Sequence, residues 1–279
     1  MVATKPIYRD KVVEANGLEL HYLEWGDPAG QPLVLLHGVT GHAHTWDTFS
    51  QVAMQRYRVL ALDQRGHGDS QWAATYKTSD FVADLKAVVE ALEIRPFTLI
   101  GLSMGAHNAM SYAAQYPADV VQAVLVDLAP SYAPPAGPNP YQERMNAANQ
   151  AGFQSVDEIL TLLREGNPIA PEHELRLRAS FGSKRRANGK MSLKCDPAVR
   201  EKWDREDLWS KIGNITVPTL ILRGSESQVF KREDGLRMEQ IISKGQLVEI
   251  QGAGHTINND QPERFGQVVG DFLLGRPPR

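Results

Sequence analysis

The stretch that most constrains the fold is residues 97–115. There the apolar run Phe97-Thr98-Leu99-Ile100 passes through Gly101-Leu102-Ser103-Met104-Gly105 straight into a segment rich in small residues, 106–115. A short run without polar alternation predicts a strand covered on both faces, as in a parallel sheet between helices. Strand, Gly-x-Ser-x-Gly, helix is the order a nucleophile elbow requires: the serine sits in a strained turn, and side chains two positions away would strike strand or helix. Such a turn aims the Ser103 hydroxyl outward. It also sets a helix N-terminus, with its unpaired N–H groups and positive dipole end, beside that hydroxyl.

Around this centre the chain reads as strands alternating with helices. Val12 to Trp25 predicts two antiparallel strands meeting at Asn16-Gly17, a dipeptide suited to a tight hairpin. Leu33–Leu36, Val59–Leu62 and Val121–Val126 are further unbroken apolar runs, and Phe81, Val82, Leu85, Val88, Val89 and Leu92 repeat at helical spacing behind Ser79 and Asp80 as caps. From Ala129 to about Asp207 the rhythm breaks, opening with the proline-rich SYAPPAGPNP and continuing in helix-like segments with no strand candidate. Ser155 and Glu158 have capping-box spacing there, Pro168 and Pro171 mark a break, and the basic Lys184-Arg185-Arg186 reads as a solvated helix end. Strands resume at Thr219–Leu222 and Gln246–Ile250, a last helix covers Pro262–Leu274, and the tail GRPPR is expected to fray. The reading is a core of residues 1–129 and 208–279 interrupted by a helical cap, 130–207.

A serine hydroxyl needs a base to take its proton. Among eight histidines, His255 fits: it follows a strand in Gly252-Ala253-Gly254-His255 and precedes the final helix, so its loop can reach across the sheet ends. His21 lies in an N-terminal strand, His67 in a turn, His107 one helical turn beyond Ser103 and His173 in the cap. His37, His42 and His44 share one loop without a carboxylate or cysteine at ligand spacing, so no metal is expected. His37-Gly38-Val39, directly after a strand, can offer the Val39 N–H to pair with that of Met104 as an oxyanion hole. Gly38, Trp46 and Trp203 are candidates for lining the substrate pocket.

His37-Gly38, Asp63-Gln64-Arg65-Gly66-His67-Gly68, Gly101-Leu102-Ser103-Met104-Gly105 and Gly254-His255 together resemble the α/β-hydrolase superfamily, in order and spacing across nearly the whole chain. The resemblance implies a mostly parallel eight-stranded sheet flanked by helices, with a helical cap inserted after the sixth strand. It also implies that the turn Arg65–Gly68 is structural. One position departs from the family pattern. The triad acid usually lies three residues after the glycine ending the seventh strand, and here Gly224 is followed by Ser225-Glu226-Ser227. Asp127, at the end of the sixth strand, is the leading substitute, since some family members resemble this arrangement. Glu226 is the rival, with Asp234 and Asp260 behind it, while a turn or helix-capping aspartate is the bland alternative for Asp127.

The expected activity is therefore hydrolysis of a small-molecule carboxylic ester or lactone through an acyl-enzyme, with Ser103, His255 and Asp127 as triad and no cofactor. A hydrolase of carbon–carbon bonds in ring-fission products has the same inventory, and a cofactor-free oxygenase using only a His/Asp dyad is a second class. Lys and Arg number 30 against 33 Asp and Glu, a net charge of -3. That balance argues against nucleic acid or an anionic membrane as partner and leaves small neutral or anionic substrates open. The single cysteine, Cys195, cannot form an internal disulfide, and the polar start lacks a signal-peptide pattern, so a cytoplasmic monomer or homodimer is expected.

Overall fold

The computed structural model describes residues 7–131 and 139–277. In chain order the elements are β1 (Tyr8–Ala15), β2 (Leu18–Trp25), β3 (Gln31–Leu36), α1 (Asp47–Ala53), β4 (Tyr57–Leu62), α2 (Thr78–Ala91), β5 (Phe97–Leu102), α3 (Met104–Gln115) and β6 (Val120–Val126). The segment that follows holds α4 (Pro140–Ala151), α5 (Val156–Gly166), α6 (Glu172–Phe181), β7 (Ser183–Arg185), β8 (Met191–Leu193) and α7 (Pro197–Lys202). Then come β9 (Thr219–Gly224), α8 (Arg232–Ile241), β10 (Gly245–Ile250), α9 (Ile257–Asp260) and α10 (Pro262–Leu273).

Eight strands form one sheet in the order β1-β2-β4-β3-β5-β6-β9-β10. The pairs β1–β2 and β2–β4 are antiparallel and all others parallel. The β1–β2 hairpin turns at Asn16 and Gly17 with φ of 51° and 74°, the two positive values that a two-residue primed turn demands. The unbroken apolar strands follow from coverage on both faces. Val34, Leu36, Leu60, Leu62 and Leu99 face a core shared with α2, α3 and α8. Their neighbours Leu33, Leu35, Val59, Ala61 and Ile100 face a second core closed by α1 and α10. The turns after β3, β5, β6, β9 and β10 gather at the carboxyl ends of the parallel strands, where open α/β sheets place their ligands.

The sequence-level expectations hold for the sheet with small changes at element ends. Helix α2 starts one residue earlier than Ser79, and the Asp80 carboxylate accepts the Lys77 N–H at 3.0 Å. At α5 the Ser155 hydroxyl accepts from the Glu158 N–H, while Glu158 reaches back one residue further, to Gln154 N. The segment between β6 and β9 is not purely helical. β7 and β8 form a short antiparallel hairpin, too short for a period-two pattern to register in the sequence. Lys184 and Arg185 lie on that hairpin and not at a helix end. Arg186 donates to the carbonyls of Asn149 and Gln150 near the end of α4, where a cation complements the helix dipole. The inserted segment has its own apolar centre, including Met145, Phe153, Ile159, Leu163, Leu175 and Met191. The proline-rich stretch at 132–138 and the last tail residues, 278–279, lie outside the described residues. No helix among the described residues is long and apolar enough to cross a membrane.

Gly266 lies inside α10, and a methyl group at its Cβ position would meet nothing within 4 Å. Gly266→Ala should therefore raise stability by about 0.8 kcal/mol, because the helix loses a residue with excess unfolded-state freedom. The check is urea unfolding, with a higher midpoint at unchanged slope.

Candidate active site

Close backbone approach builds the elbow. A Cβ on Gly101 would lie 2.2 Å from the Gly105 carbonyl oxygen, and one on Gly105 would lie 2.2 Å from the Leu36 carbonyl oxygen. Only hydrogen atoms fit at either place. Between them Ser103 adopts φ 54°, ψ -119°, a conformation that costs a non-glycine residue on the order of 1–3 kcal/mol and must be held by its surroundings. The Ser103 N–H donates to Val126 O at 2.9 Å, and the Ser103 carbonyl accepts the His107 N–H at 3.0 Å, so strand β6 and helix α3 fix the turn from both sides.

Three chain-distant side chains meet here. Ser103 Oγ lies 2.9 Å from His255 Nε2, and His255 Nδ1 lies 2.8 Å from Asp127 Oδ2. With its Nδ1–H directed at the carboxylate, the imidazole has Nε2 free to accept the serine proton. Asp127 is fully buried, adopts φ 54°, and receives the Gly224 N–H on Oδ1 at 3.0 Å and the Ser227 hydroxyl on Oδ2 at 2.5 Å. Ser227 Oγ in turn accepts the N–H groups of Val229 and Phe230, which fixes its proton toward Asp127. Ser227 is the contributor that motif reading missed; the signal was present, as the residue that stands where an acid was expected. Glu226 is exposed and its carboxylate accepts from Ser225 Oγ, so it takes no part. Asp234 lies in the first turn of α8. Asp260 receives Gly254 N–H on one oxygen and Thr256 Oγ–H on the other, both at 2.9 Å, and so clamps the loop on either side of His255.

The turn after β3 packs against the serine. A Cβ on Gly38 would stand 3.1 Å from Ser103 Cβ and 3.6 Å from Ser103 Oγ, so the missing side chain leaves room in front of the hydroxyl. His37 orders this turn. Its Nδ1–H donates to Gly38 O at 2.8 Å, while Nε2 accepts Gln64 N–H and the Gln64 side chain bridges His37 O to Asn108. Burial pushes its pKa down to about 3, so it stays neutral and unavailable as an acid or base at ordinary pH. Among the described residues, no hydrogen bond is formed by Val39 N–H or Met104 N–H. Trp46 is not at the site. Its indole is wholly enclosed with Phe49 and Phe265 in the α1/α10 core, because the short 3-10 turn it ends directs it under the sheet. Trp203 is 5% exposed and packs edge-on to His107 in a cluster with Met104 and Leu128, a wall behind the elbow more than a contact surface.

His21 has a structural role. His21 Nδ1 is 2.7 Å from Asp63, and that buried carboxylate also receives the N–H groups of Ala43 and Asp69. His21, Asp63 and Asp69 could gather around a cation. Asp63 is however committed to those donors and Asp69 to Lys194, which suits a loop fastener better than a metal site. A Cβ on Gly68 would fall 2.0 Å from Asp63 Oδ2, so the turn closes directly over it.

A family model described as the alpha/beta hydrolase fold matches residues 31–262. The chain belongs to the α/β-hydrolase family. It is 26% identical to 2-(acetamidomethylene)succinate hydrolase of Mesorhizobium japonicum, over 94% of both chains. It is 28% identical to N-formylmaleamate deformylase of Pseudomonas putida, over 94% of this chain and 95% of that protein. An esterase of Mycobacterium tuberculosis is 28% identical over 90% of this chain and 85% of its own length. Among solved structures, that of E-2-(acetamidomethylene)succinate hydrolase superposes with a TM-score of 0.82 at 24% identity, covering 96% of this chain and 99% of that one.

Two outcomes follow from these contacts. Removing the Ser227 hydroxyl loses a hydrogen bond to an ionised group, worth about 1.5–3 kcal/mol; Ser227→Ala should slow labelling of Ser103 by a fluorophosphonate about tenfold or more, read by mass spectrometry. The second concerns acid. Burial holds His37 near about 3 and His42 at about 4, below the roughly 6.5 of an unfolded histidine. The unfolded chain then binds protons that the folded chain refuses, so stability falls as pH drops below about 6.5, by up to about 1.4 kcal/mol per unit for each. His21 is opposite in sign. Burial lowers its pKa, but the Asp63 hydrogen bond prevails and raises it, so its contribution is complete below about 6.5 and adds no slope there. Urea unfolding between pH 6.5 and 4.5 should show the decline, with one histidine's share removed in His42→Asn.

Proposed function

We propose that the protein is a serine hydrolase that cleaves a small-molecule carboxylic ester or lactone through an acyl-enzyme. The observation that carries this reading is the unbroken hydrogen-bond chain Ser103 Oγ, His255, Asp127. The named relatives, a hydrolase, a deformylase and an esterase, share cleavage by water and support the same reaction class.

In the proposed route Ser103 Oγ attacks the acyl carbon while His255 Nε2 takes its proton. The imidazolium forms against Asp127, whose negative charge is localised by Gly224 N–H and Ser227 O–H. The oxyanion of the tetrahedral intermediate takes the N–H groups of Val39 and Met104, each donor supplying on the order of 3 kcal/mol of transition-state stabilisation. Collapse expels the alcohol, which leaves with the proton from His255. Water then enters, His255 takes a proton from it, the hydroxide adds to the acyl carbon, and the second collapse returns the proton to Ser103 and frees the acid. Every proton is handled by one imidazole. The 2.9 Å contact between serine and histidine supports a serine that is deprotonated, against a dyad in which it merely positions substrate.

Ser103→Ala should lose at least about 10⁴-fold in turnover of short-chain nitrophenyl esters or lactones, and Asp127→Asn about 10³–10⁴-fold. Burst release of nitrophenol and fluorophosphonate labelling of Ser103 should accompany the wild-type activity. A Ser103→Ala enzyme within tenfold of wild type would instead select the dyad mechanism.

A further inference from the structure

The inserted segment carries several arginines, and their partners differ. Arg144, Arg164 and Arg176 are exposed and lie in ion pairs with Glu165, Glu172 and Asp157. Arg178 on α6 and Arg200 on α7 are half-buried, and neither has a carboxylate in contact among the described residues. Desolvation pulls both below the usual arginine pKa, and each lies within electrostatic range of the other. A half-buried guanidinium without a counter-ion is expensive, and two that repel each other more so.

Their position is specific. Arg178 Nη2 donates to Thr40 Oγ1 at 3.2 Å, and Thr40 directly follows the oxyanion candidate Val39. Two peptide steps span at most about 7.6 Å between Cα atoms, so Thr40 cannot lie far from Gly38, which touches Ser103. Helix α7 approaches the same turn. Cys195, Ala198 and Val199 pack in one apolar cluster with Val39 and Met104, and Arg200 is the next residue. The groups around the two arginines supply no negative charge by contact. Burial pushes the Cys195 thiol up to about 12 and the Tyr141 phenol above its ordinary value, so both are neutral. Asp260 is the carboxylate whose field reaches Arg178, but its oxygens are engaged by Gly254 N, Asn167 and Thr256.

We propose that Arg178 and Arg200 form an anion site beside the oxyanion turn that holds a carboxylate of the substrate, so that the preferred substrate is an ester or lactone bearing a free carboxylate a few atoms from the scissile bond. The planar guanidinium fork matches a carboxylate in two-point hydrogen bonding. The site deepens the hydrolase reading above and rests on it for the identity of the reacting bond.

The test separates binding from turnover. Monomethyl succinate, a monoanion, and neutral dimethyl succinate are titrated calorimetrically into the Ser103→Ala protein. The monoanion should bind at least tenfold more tightly than the diester, and Arg178→Gln or Arg200→Gln on that background should reduce this ratio about tenfold, with Arg→Lys recovering part of it. Because each substitution removes an unpaired charge, melting temperatures should be equal or higher, which shows that a lost ratio is not lost folding. Equal affinity for the two esters, no binding of the monoanion, or a ratio indifferent to both arginines overturns the anion site. Wild-type turnover is read in parallel. Hydrolysis of both esters with equal kcat/KM overturns the anion site and leaves the hydrolase intact; charge-selective binding with no hydrolysis of any ester or lactone overturns the hydrolase reading and leaves the anion site standing.

Discussion

The buried carboxylate of Asp127 is the point on which the geometry turns. It stands at the end of β6 with no solvent exposure, and an ionised group there is tolerable only if its oxygens are filled by donors. The donors come from three places: Gly224 at the end of β9, Ser227 in the next turn, and His255 in the loop after β10. The same interactions that make the charge affordable tie three strand ends to one another. The elbow adds a fourth, because Ser103 N–H is bonded to Val126 O, the residue before Asp127. A change in any one of these turns shifts the relation of serine, imidazole and carboxylate.

What could be read from the sequence, and what could not, follows from the range of each interaction. The strands were legible because their neighbours on both sheet faces are apolar, so composition alone reports the burial. The elbow was legible because its glycines are demanded by local backbone approach. Asp127 could be inferred from a gap: with serine at 227, a histidine without an acid needed one elsewhere. The hydroxyl of Ser227 filling that gap as a donor is a contact of residues a hundred positions apart, and no spacing rule carries it. Trp46 misled because an aromatic next to a catalytic loop reads alike whether it faces substrate or core, and the choice depends on which way a single short turn rotates. The β7–β8 hairpin was hidden by its three-residue strands.

Arg178 and Arg200 illustrate a different limit. In the sequence they belong to a polar, charge-rich stretch and resemble their solvent-exposed neighbours. Only the folded arrangement distinguishes arginines that have found a carboxylate from arginines that have not. Charge balance over the whole chain, near neutrality, is equally silent about this, since the imbalance is local and lies against the one turn where chemistry is expected.

The hydroxyl at position 227 also bears on descent. Position 227 is where the family resemblance leads one to expect the triad carboxylate, and the 2.5 Å contact with Asp127 shows that the two side chains share one buried site. A lineage passing from one arrangement to the other by way of both acids would have to share a proton between them, since neighbouring buried carboxylates do not both ionise. Passage through two serines would leave the imidazole without a partner. Either intermediate is handicapped, so the buried pair accommodates one acid and one hydroxyl more readily than two of either kind.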